Sequence, residues 1–201
     1  MRLFIAEKPS LGRAIAAGLG SGKEKDGAVY LGSDIVTWCF GHILEQCSPE
    51  DYDEKYKRWC IEDLPILPQV WKNKVKPDAK KQYLLIKKLV HEADEIVNAG
   101  DPDREGQLLV DEVLADLGVL KGNKNIQRIL LNALDEKSVR EALSNLRSNQ
   151  DFVGLRSSAL ARSRADWLIG MNLSRIYTIR AREAGYQNTV SVGRVQTPTM
   201  G

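Results

Sequence analysis

Four acidic side chains are the residues whose type and spacing most clearly suggest chemistry. Three of them lie within the run Asp101-Pro102-Asp103-Arg104-Glu105-Gly106, and the fourth, Glu7, follows the apolar stretch 2–6. Carboxylates held this close repel one another unless a cation offsets their charge. Oxygen ligands with room for water suit Mg²⁺. The pattern therefore indicates a magnesium site formed by Asp101, Asp103, Glu105 and Glu7.

The same residues also admit a purely structural interpretation. Asp101 and Asp103 stand just before a helical pattern, where acidic side chains can cap a helix and favour the positive end of its dipole. An Asp-x-Asp-x-Glu match is weak by itself, so the spacing alone leaves both interpretations open.

Strand and helix patterns alternate through the first 150 residues and would bring these acids together. This alternation predicts an α/β fold, with a Rossmann-like parallel sheet and helices on both faces. Functional groups gather beyond the carboxyl ends of such strands, where Glu7 and the acidic run should meet. The expected strands are 2–6, 29–31, 35–40, 95–99 and 128–131, and helices are expected from Leu11, from Asp78, after the acidic run and from Asp135.

The chain changes character after about residue 150. Residues 1–150 hold 22 basic and 24 acidic side chains, whereas 151–201 hold 7 arginines against 3 acids and show a mostly helical pattern. Arginine is the side chain best shaped for bidentate phosphate contact, although a salt-bridged helical face would give the same composition. We therefore expect two domains, 1–150 and an incomplete helical one at 151–201.

The stretch from Glu45 to Pro77 is polar and irregular, yet it carries the apolar anchors Trp59 and Trp71. Disordered segments are poor in aromatic residues. We expect an ordered excursion that packs on the first domain.

The composition excludes several classes of protein. No apolar run approaches the roughly 20 residues of a membrane span, so no membrane partner is expected. The beginning lacks the basic and apolar regions of a signal peptide, which favours a cytoplasmic location. Cys39, Cys47 and Cys60 lack the spacing of a zinc site.

Several motifs, in order along nearly the whole chain, resemble one family. They are Glu7-Lys8-Pro9-Ser10, Trp38-Cys39-Phe40-Gly41-His42, Leu64-Pro65-Ile66-Leu67-Pro68, the acidic run at 101–106, ARSRADWLIGMN at 161–172 and SVGRVQTPT at 191–199. Together they resemble type IA DNA topoisomerases of the topoisomerase III subgroup. The resemblance implies a Toprim domain followed by the helical start of the DNA-binding domain.

The resemblance also implies roles for individual residues. Asp101, Asp103 and Glu105 would bind Mg²⁺ together with Glu7. Glu7 would assist proton transfer at the scissile phosphate, and Lys8 would stabilise charge there. The residues that would contact the backbone of single-stranded DNA are Arg162, Arg164, Arg194 and Gln196. For Arg162, an ion pair with Asp166 on the same helix is an equal alternative.

For the parent enzyme, the resemblance implies relaxation of negatively supercoiled DNA by single-strand transesterification, without a nucleotide cofactor. The family's nucleophile is a tyrosine in a Tyr-Pro-Arg context, and none of the six tyrosines here is followed by Pro-Arg. The 201-residue chain is therefore not expected to cleave DNA by that route. Two alternatives stay open: a catalytically inactive, single-stranded DNA-binding Toprim remnant, and a Toprim primase or nuclease. Neither His42 nor His91 is expected to be catalytic.

Overall fold

The computed structural model, which describes residues 1–200, contains a seven-stranded sheet. The strands are β1 (Arg2–Ala6), β2 (Lys23–Lys25), β3 (Ala28–Leu31), β4 (Asp34–Trp38), β5 (Leu44–Gln46), β6 (Asn73–Val75), β7 (Glu95–Ala99), β8 (Asn125–Arg128) and β9 (Arg147–Ser148). The sheet order is β2-β3-β4-β1-β7-β8-β9, and β5 pairs separately with β6. The central strands β4, β1, β7 and β8 are parallel, whereas the outer pairings are antiparallel.

Helices follow most of these strands. The α-helices are α1 (Pro9–Leu19), α2 (Pro49–Tyr52), α3 (Lys80–Glu92), α4 (Arg104–Asp116), α5 (Glu136–Leu143), α6 (Val153–Glu183) and α7 (Gln196–Met200). Short 3₁₀ turns lie at Glu54–Lys57, Ile61–Asp63, Pro77–Ala79, Val119–Lys121 and Asn149–Phe152. None of the helices in the described part of the chain has the length and apolar character that crossing a bilayer requires.

The hydrophobic core covers both faces of the sheet, because successive strand residues point to opposite sides. In β1, Leu3 and Ile5 pack with residues of α3 and α4, whereas Phe4 and Ala6 pack with residues of α1 and α5. All four side chains are fully buried. The predicted α/β fold with helices on both faces is thus confirmed, with antiparallel strands added at the edges of a parallel centre.

The strand register fixes which residues leave the sheet together. Ala6 at the end of β1 is level with Trp38 in β4 and with Ala99 in β7. The next residues, Glu7 and Gly100, therefore emerge at the same edge of the sheet. This edge is the one at which the sequence predicted a functional site.

The strand predicted at 128–131 is displaced, since β8 ends at Arg128. Ile129 and Leu131 are nevertheless buried in the core, and the Ile129 amide donates to the Asn98 carbonyl at 3.1 Å. Apolar periodicity reports burial, which here continues beyond the end of strand pairing. The prediction identified the buried stretch and placed the strand too late.

The chain folds into two compact units. The first comprises residues 1–45 and 75–159 and contains the sheet, and the second comprises 46–74 with the chain from Leu160 onward. The excursion that was expected to pack on the first domain therefore belongs with the second unit. The division into domains at residue 150 stays a prediction, and its last residue, Gly201, lies outside the described residues.

Trp167 of α6 is a buried residue of the second unit. Its indole N–H donates to the Cys47 carbonyl at 2.9 Å, and its ring meets Tyr52 and Trp71 edge-on, with centroids 6.0 and 5.4 Å away. Such edge contacts stabilise aromatic pairs beyond the area they bury. Trp167 therefore contacts residues near both ends of the excursion.

Candidate functional site

Glu7 and Lys8 meet Asp101 at the carboxyl edge of the sheet. The Asp101 amide donates to Glu7 Oε2 at 3.1 Å, and Lys8 Nζ lies 2.7 Å from Asp101 Oδ2. The hydrogen bond to Asp101 raises the pKa of Lys8, so its ammonium group stays charged. The predicted meeting of the first strand with the acidic run is therefore present, with Lys8 paired to Asp101.

The remaining two acids begin α4. Asp103 is the N-cap residue, and its Oδ1 accepts a hydrogen bond from the Gly106 amide at 2.7 Å. Glu105 lies in the first turn. The capping interpretation is thus correct for Asp103, whereas the Asp101 carboxylate faces Lys8.

His42 links Glu105 to a second glutamate. Its Nε2 lies 2.9 Å from Glu105 Oε1, and its Nδ1 lies 2.6 Å from Glu112 Oε1. The hydrogen bond to Glu112, assisted by Glu105, raises the pKa of His42 to about 9. Burial raises the pKa of Glu112. The imidazole is therefore a cation at neutral pH and holds the Glu105 side chain.

A buried arginine lies beneath the acidic edge. Arg128 is 1% exposed, and its guanidinium donates to the carbonyls of Gly100 at 2.8 Å and Asp101 at 2.6 Å. Two further bonds reach the carbonyls of Asn98 and Ile129, at 3.2 and 2.9 Å. Burial lowers the pKa of Arg128 to about 10, which still leaves it charged at neutral pH.

The donor set of the edge fits a hard divalent cation in its chemistry. All four candidate ligands are carboxylates, the oxygen donors that Mg²⁺ prefers. In residues 1–200, however, no three acidic, histidine or cysteine side chains are already gathered as a ligand group. Each acid is engaged by a group of the chain itself: the amides of Asp101 and Gly106, and the cations Lys8 and His42. A divalent cation bound at this edge would have to compete with these partners.

Two glycines allow the acidic turn to fold back on itself. A Cβ added to Gly100 would lie 2.0 Å from the Gly106 carbonyl oxygen, and one added to Gly106 would lie 2.4 Å from the Asp101 amide nitrogen. No real Cβ approaches backbone this closely, so only glycine fits at both positions.

The predicted DNA-binding residues all lie in the second unit. Arg194 Nε donates to Asp166 Oδ1 at 2.6 Å, and Arg162 Nε lies 4.0 Å from the other oxygen of Asp166. Arg164 stacks on the Trp71 ring at 5.1 Å from its centroid. Gln196 begins α7 and accepts from the Ser191 hydroxyl at 3.5 Å. The structure thus shows the ion pair proposed for Arg162, in a weak form, and a stronger one for Arg194.

Two hydroxyl groups hold the segment that leads to Arg194 against α6. Thr178 accepts a hydrogen bond from the Val190 amide, and Ser174 accepts one from the Val192 amide, both at 2.9 Å. Each hydroxyl also donates to the carbonyl of the same valine at 3.3 Å. Because the two hydroxyls are four residues apart on one helix, they fix an extended segment along it.

Two family models match successive parts of the chain. A family model described as "Toprim domain" matches residues 2–134. The chain belongs to the Toprim family. A second model, described as "DNA topoisomerase", matches residues 150–201. The Toprim match contains Glu7, Lys8 and the acidic turn, and the second match contains the arginine-rich segment.

Relatives of this Toprim chain include proteins named DNA topoisomerase 3. The sequence is 55% identical over 205 residues to the one from Pasteurella multocida and 54% identical over 203 residues to the one from Vibrio cholerae, in each case over 100% of this chain and 31% of the relative. A relative from Staphylococcus epidermidis is 36% identical over 98% of the chain and 27% of its own length. The chain thus spans about a third of the length of these relatives. The resemblance to topoisomerase III is confirmed.

A solved structure shows the same fold. Full-length topoisomerase I from Thermotoga maritima superposes with a TM-score of 0.56 and 20% identity, over 86% of this chain and 25% of that one. At this identity, the likeness concerns the Toprim fold alone.

Reasoning from sequence assigned no catalytic role to His42 and did not single out Arg128, although both belong to the Toprim site. His42 had a usable signal, because the Cys-Phe-Gly-His stretch directly follows β4, whose end lies level with β1. Arg128 had none, since it reads as one more strand residue and its partners are backbone carbonyls.

Proposed function

We propose that this chain is the acidic and DNA-engaging portion of a cytoplasmic type IA DNA topoisomerase, in which Glu7, Asp101, Asp103 and Glu105 form a Mg²⁺ site beside a DNA phosphate. The observation that carries the proposal is the contact of Glu7 and Lys8 with Asp101, 94 and 93 positions apart in sequence, at one edge of the sheet. A divalent cation and a lysine at that edge would face the same phosphate.

The residues have separate parts in the chemistry. Mg²⁺, when bound, supplies positive charge that stabilises the negative charge developing on the phosphate. Lys8 adds a second positive charge, which its pairing with Asp101 keeps protonated. Glu7 can exchange a proton with the departing 3′ oxygen of the cleaved strand. The Asp101 amide holds one oxygen of Glu7 and so orients the carboxylate.

Arg162, Arg164, Arg194 and Gln196 would contact the backbone of single-stranded or negatively supercoiled DNA. Arg194 is 41% exposed and Arg162 is 45% exposed, so a phosphate can reach both guanidinium groups. A phosphate would replace Asp166 as their anionic partner. Contacts of this kind carry no sequence preference.

The whole protein would relax supercoiled DNA without ATP, by transesterification through a tyrosine. None of the six tyrosines in this chain is followed by Pro-Arg, so the 201 residues alone lack that nucleophile. In a relaxation assay with Mg²⁺, we expect no relaxation by this polypeptide. Calorimetry should show Mg²⁺ binding that is lost in Asp101→Asn/Asp103→Asn. Robust relaxation, or equal Mg²⁺ binding by the double variant, would contradict the proposal.

A metal-independent DNA-binding remnant is the second candidate. It is favoured by the engagement of each acid with a group of the chain itself. The test is single-stranded DNA affinity with Mg²⁺ and with EDTA. A remnant would lose affinity on changing Arg162, Arg164 and Arg194 together, but would be indifferent to Asp103→Asn and to EDTA. A Toprim primase or nuclease is disfavoured, because the match described as "DNA topoisomerase" covers the arginine-rich segment.

A further inference from the structure

Arg128 is an unusual core residue because its buried charge has backbone partners. The side chain is 1% exposed, and its hydrogen bonds go to the carbonyls of Asn98, Gly100, Asp101 and Ile129. Its Nε, also buried, has no hydrogen-bond partner among the described residues. Burying a guanidinium in this way costs free energy that an apolar side chain of similar volume would not. This cost is explained if the positive charge of Arg128 stabilises the acidic residues at the edge of the sheet.

Three of those carbonyls, of Asn98, Gly100 and Asp101, lie at the end of β7 and in the turn that delivers Asp101 to the edge of the sheet. The amides of the same turn are fixed from the other side, since the Gly100 amide donates to Asn98 Oδ1 at 3.0 Å and the Asp101 amide donates to Glu7 Oε2 at 3.1 Å. Arg128 donates to the carbonyls of the same segment. The backbone of residues 98–101 is therefore hydrogen-bonded on both sides before any ligand arrives.

The guanidinium also acts through its charge. Buried Asp111 interacts most favourably with it, followed by Asp103, Asp101 and Glu7, and none of these side chains is among its hydrogen-bond partners. A fixed cation beneath the edge lowers the repulsion between these carboxylates. It does so without occupying the carboxylate oxygens that Mg²⁺ would use.

We propose that Arg128 is a positioning residue that fixes the turn at residues 98–101, so that Asp101 and Asp103 are held ready to bind Mg²⁺. The inference rests on the proposed function of the same edge. Arg128 itself touches neither the ion nor DNA. A lysine at position 128 would keep the charge but could not reach four carbonyls at once, because its single ammonium group lacks the planar fork of arginine.

The test is calorimetric titration of the full chain with Mg²⁺ alone. We expect Arg128→Lys to bind Mg²⁺ at least about tenfold more weakly than the wild type, and Arg128→Met more weakly still. Arg140→Lys, at an exposed position on α5, is the matched control and should bind as the wild type does. An Arg128→Lys protein that melts cooperatively and binds Mg²⁺ with unchanged affinity would overturn the inference. If the wild type shows no Mg²⁺ binding that depends on Asp101 and Asp103, the proposed function fails first.

Amide hydrogen exchange of the wild-type chain keeps the inference testable should the Arg128 variants not fold. If the turn is held beforehand, the Gly100 and Asp101 amides exchange slowly in EDTA, and Mg²⁺ changes their protection by less than a few-fold. Amides that exchange freely in EDTA and become protected only with Mg²⁺ would show that the ion, and not Arg128, orders the turn.

Discussion

His42 lies between Glu105 at the acidic edge and Glu112 behind it, and its pKa is raised to about 9, chiefly through the hydrogen bond to Glu112. A group whose pKa is higher in the folded than in the unfolded state stabilises folding in full below the unfolded value, about 6.5 for histidine. That stabilisation is lost as the pH rises through the folded-state pKa. For His42 the loss should fall between about pH 6.5 and 9.

We therefore expect His42→Gln to be less stable than the wild type at pH 6 by about 1–2 kcal/mol, a figure reduced for solvent screening because the side chain is 31% exposed. The difference should shrink by pH 9.5. The measurement is denaturant unfolding in EDTA, where no cation competes for Glu105. His91→Gln, at an exposed position, is the control. A difference between wild type and His42→Gln that stays constant from pH 6 to 9.5 would refute the assigned charge.

Arg194 and Arg162 share one carboxylate, Asp166, on an exposed surface. If both exchange Asp166 for DNA phosphate, each releases counterions from a single strand. Arg162→Ala and Arg194→Ala should then each reduce the slope of log affinity against log salt by about 0.7. Fluorescence anisotropy with a labelled single-stranded oligonucleotide measures this. The control is Arg140→Ala on α5, which should leave the slope unchanged. Equal slopes for all variants would show that neither Arg162 nor Arg194 contacts a DNA phosphate.

At the scale of elements, the turn between β7 and α4 depends on the close approach of Gly100 and Gly106. Alanine at either position would have to move backbone that the sheet and helix both hold. We expect Gly100→Ala and Gly106→Ala each to lower the free energy of unfolding by at least about 2 kcal/mol. Gly154 of α6 is the control, because a Cβ there meets nothing within 4 Å, and alanine should be neutral or stabilising. Thermal melting that ranks Gly154→Ala with the other two would contradict this account.

The excursion is joined to α6 by Asn172. This buried side chain accepts from the Ile66 amide at 2.6 Å and donates to the Ile66 carbonyl at 3.1 Å, which is the pairing a neighbouring strand would provide. Asn172→Ala leaves both backbone groups unsatisfied and should cost about 2–4 kcal/mol locally. Limited proteolysis should then cut within 46–74 sooner, while Asn188→Ala, at an exposed site, should not. Unchanged cutting in Asn172→Ala would show that other contacts hold the excursion.

For the molecule as a whole, the sequence predicts what local periodicity controls. The bounds of β1 and β7, the cap of α5 at Asp135 and the shared edge of Glu7 and Asp101 all follow from short-range patterns joined by the rule for parallel strands. The contacts of Arg128 could not be predicted, because its partners are carbonyls that carry no side-chain signature. The grouping of 46–74 with α6 depends on packing between distant segments, which periodicity does not report.

Both hydrophobic clusters of the sheet consist of residues from the first unit. The two chain segments that lead into and out of the excursion pair with each other as β5 and β6. The Lys76 amide donates to the Ile43 carbonyl, and the Cys47 amide donates to the Lys72 carbonyl. We expect a variant of residues 1–159, with 46–74 replaced by a short glycine-serine turn, to fold cooperatively and keep the Mg²⁺ affinity of the full chain. Circular dichroism and calorimetry check this. A non-cooperative melt would show that the sheet needs the second unit.

Each carboxylate at the acidic edge is paired with a group of the chain itself, so folding of the chain should not require a bound ion. Protein made in a cell short of magnesium should still reach its native structure, because these partners offset the repulsion between the carboxylates that would otherwise oppose folding. If this edge binds Mg²⁺ as proposed, the concentration of free divalent ions would alter the fraction of the protein that carries an ion, and would leave the amount of folded protein unchanged.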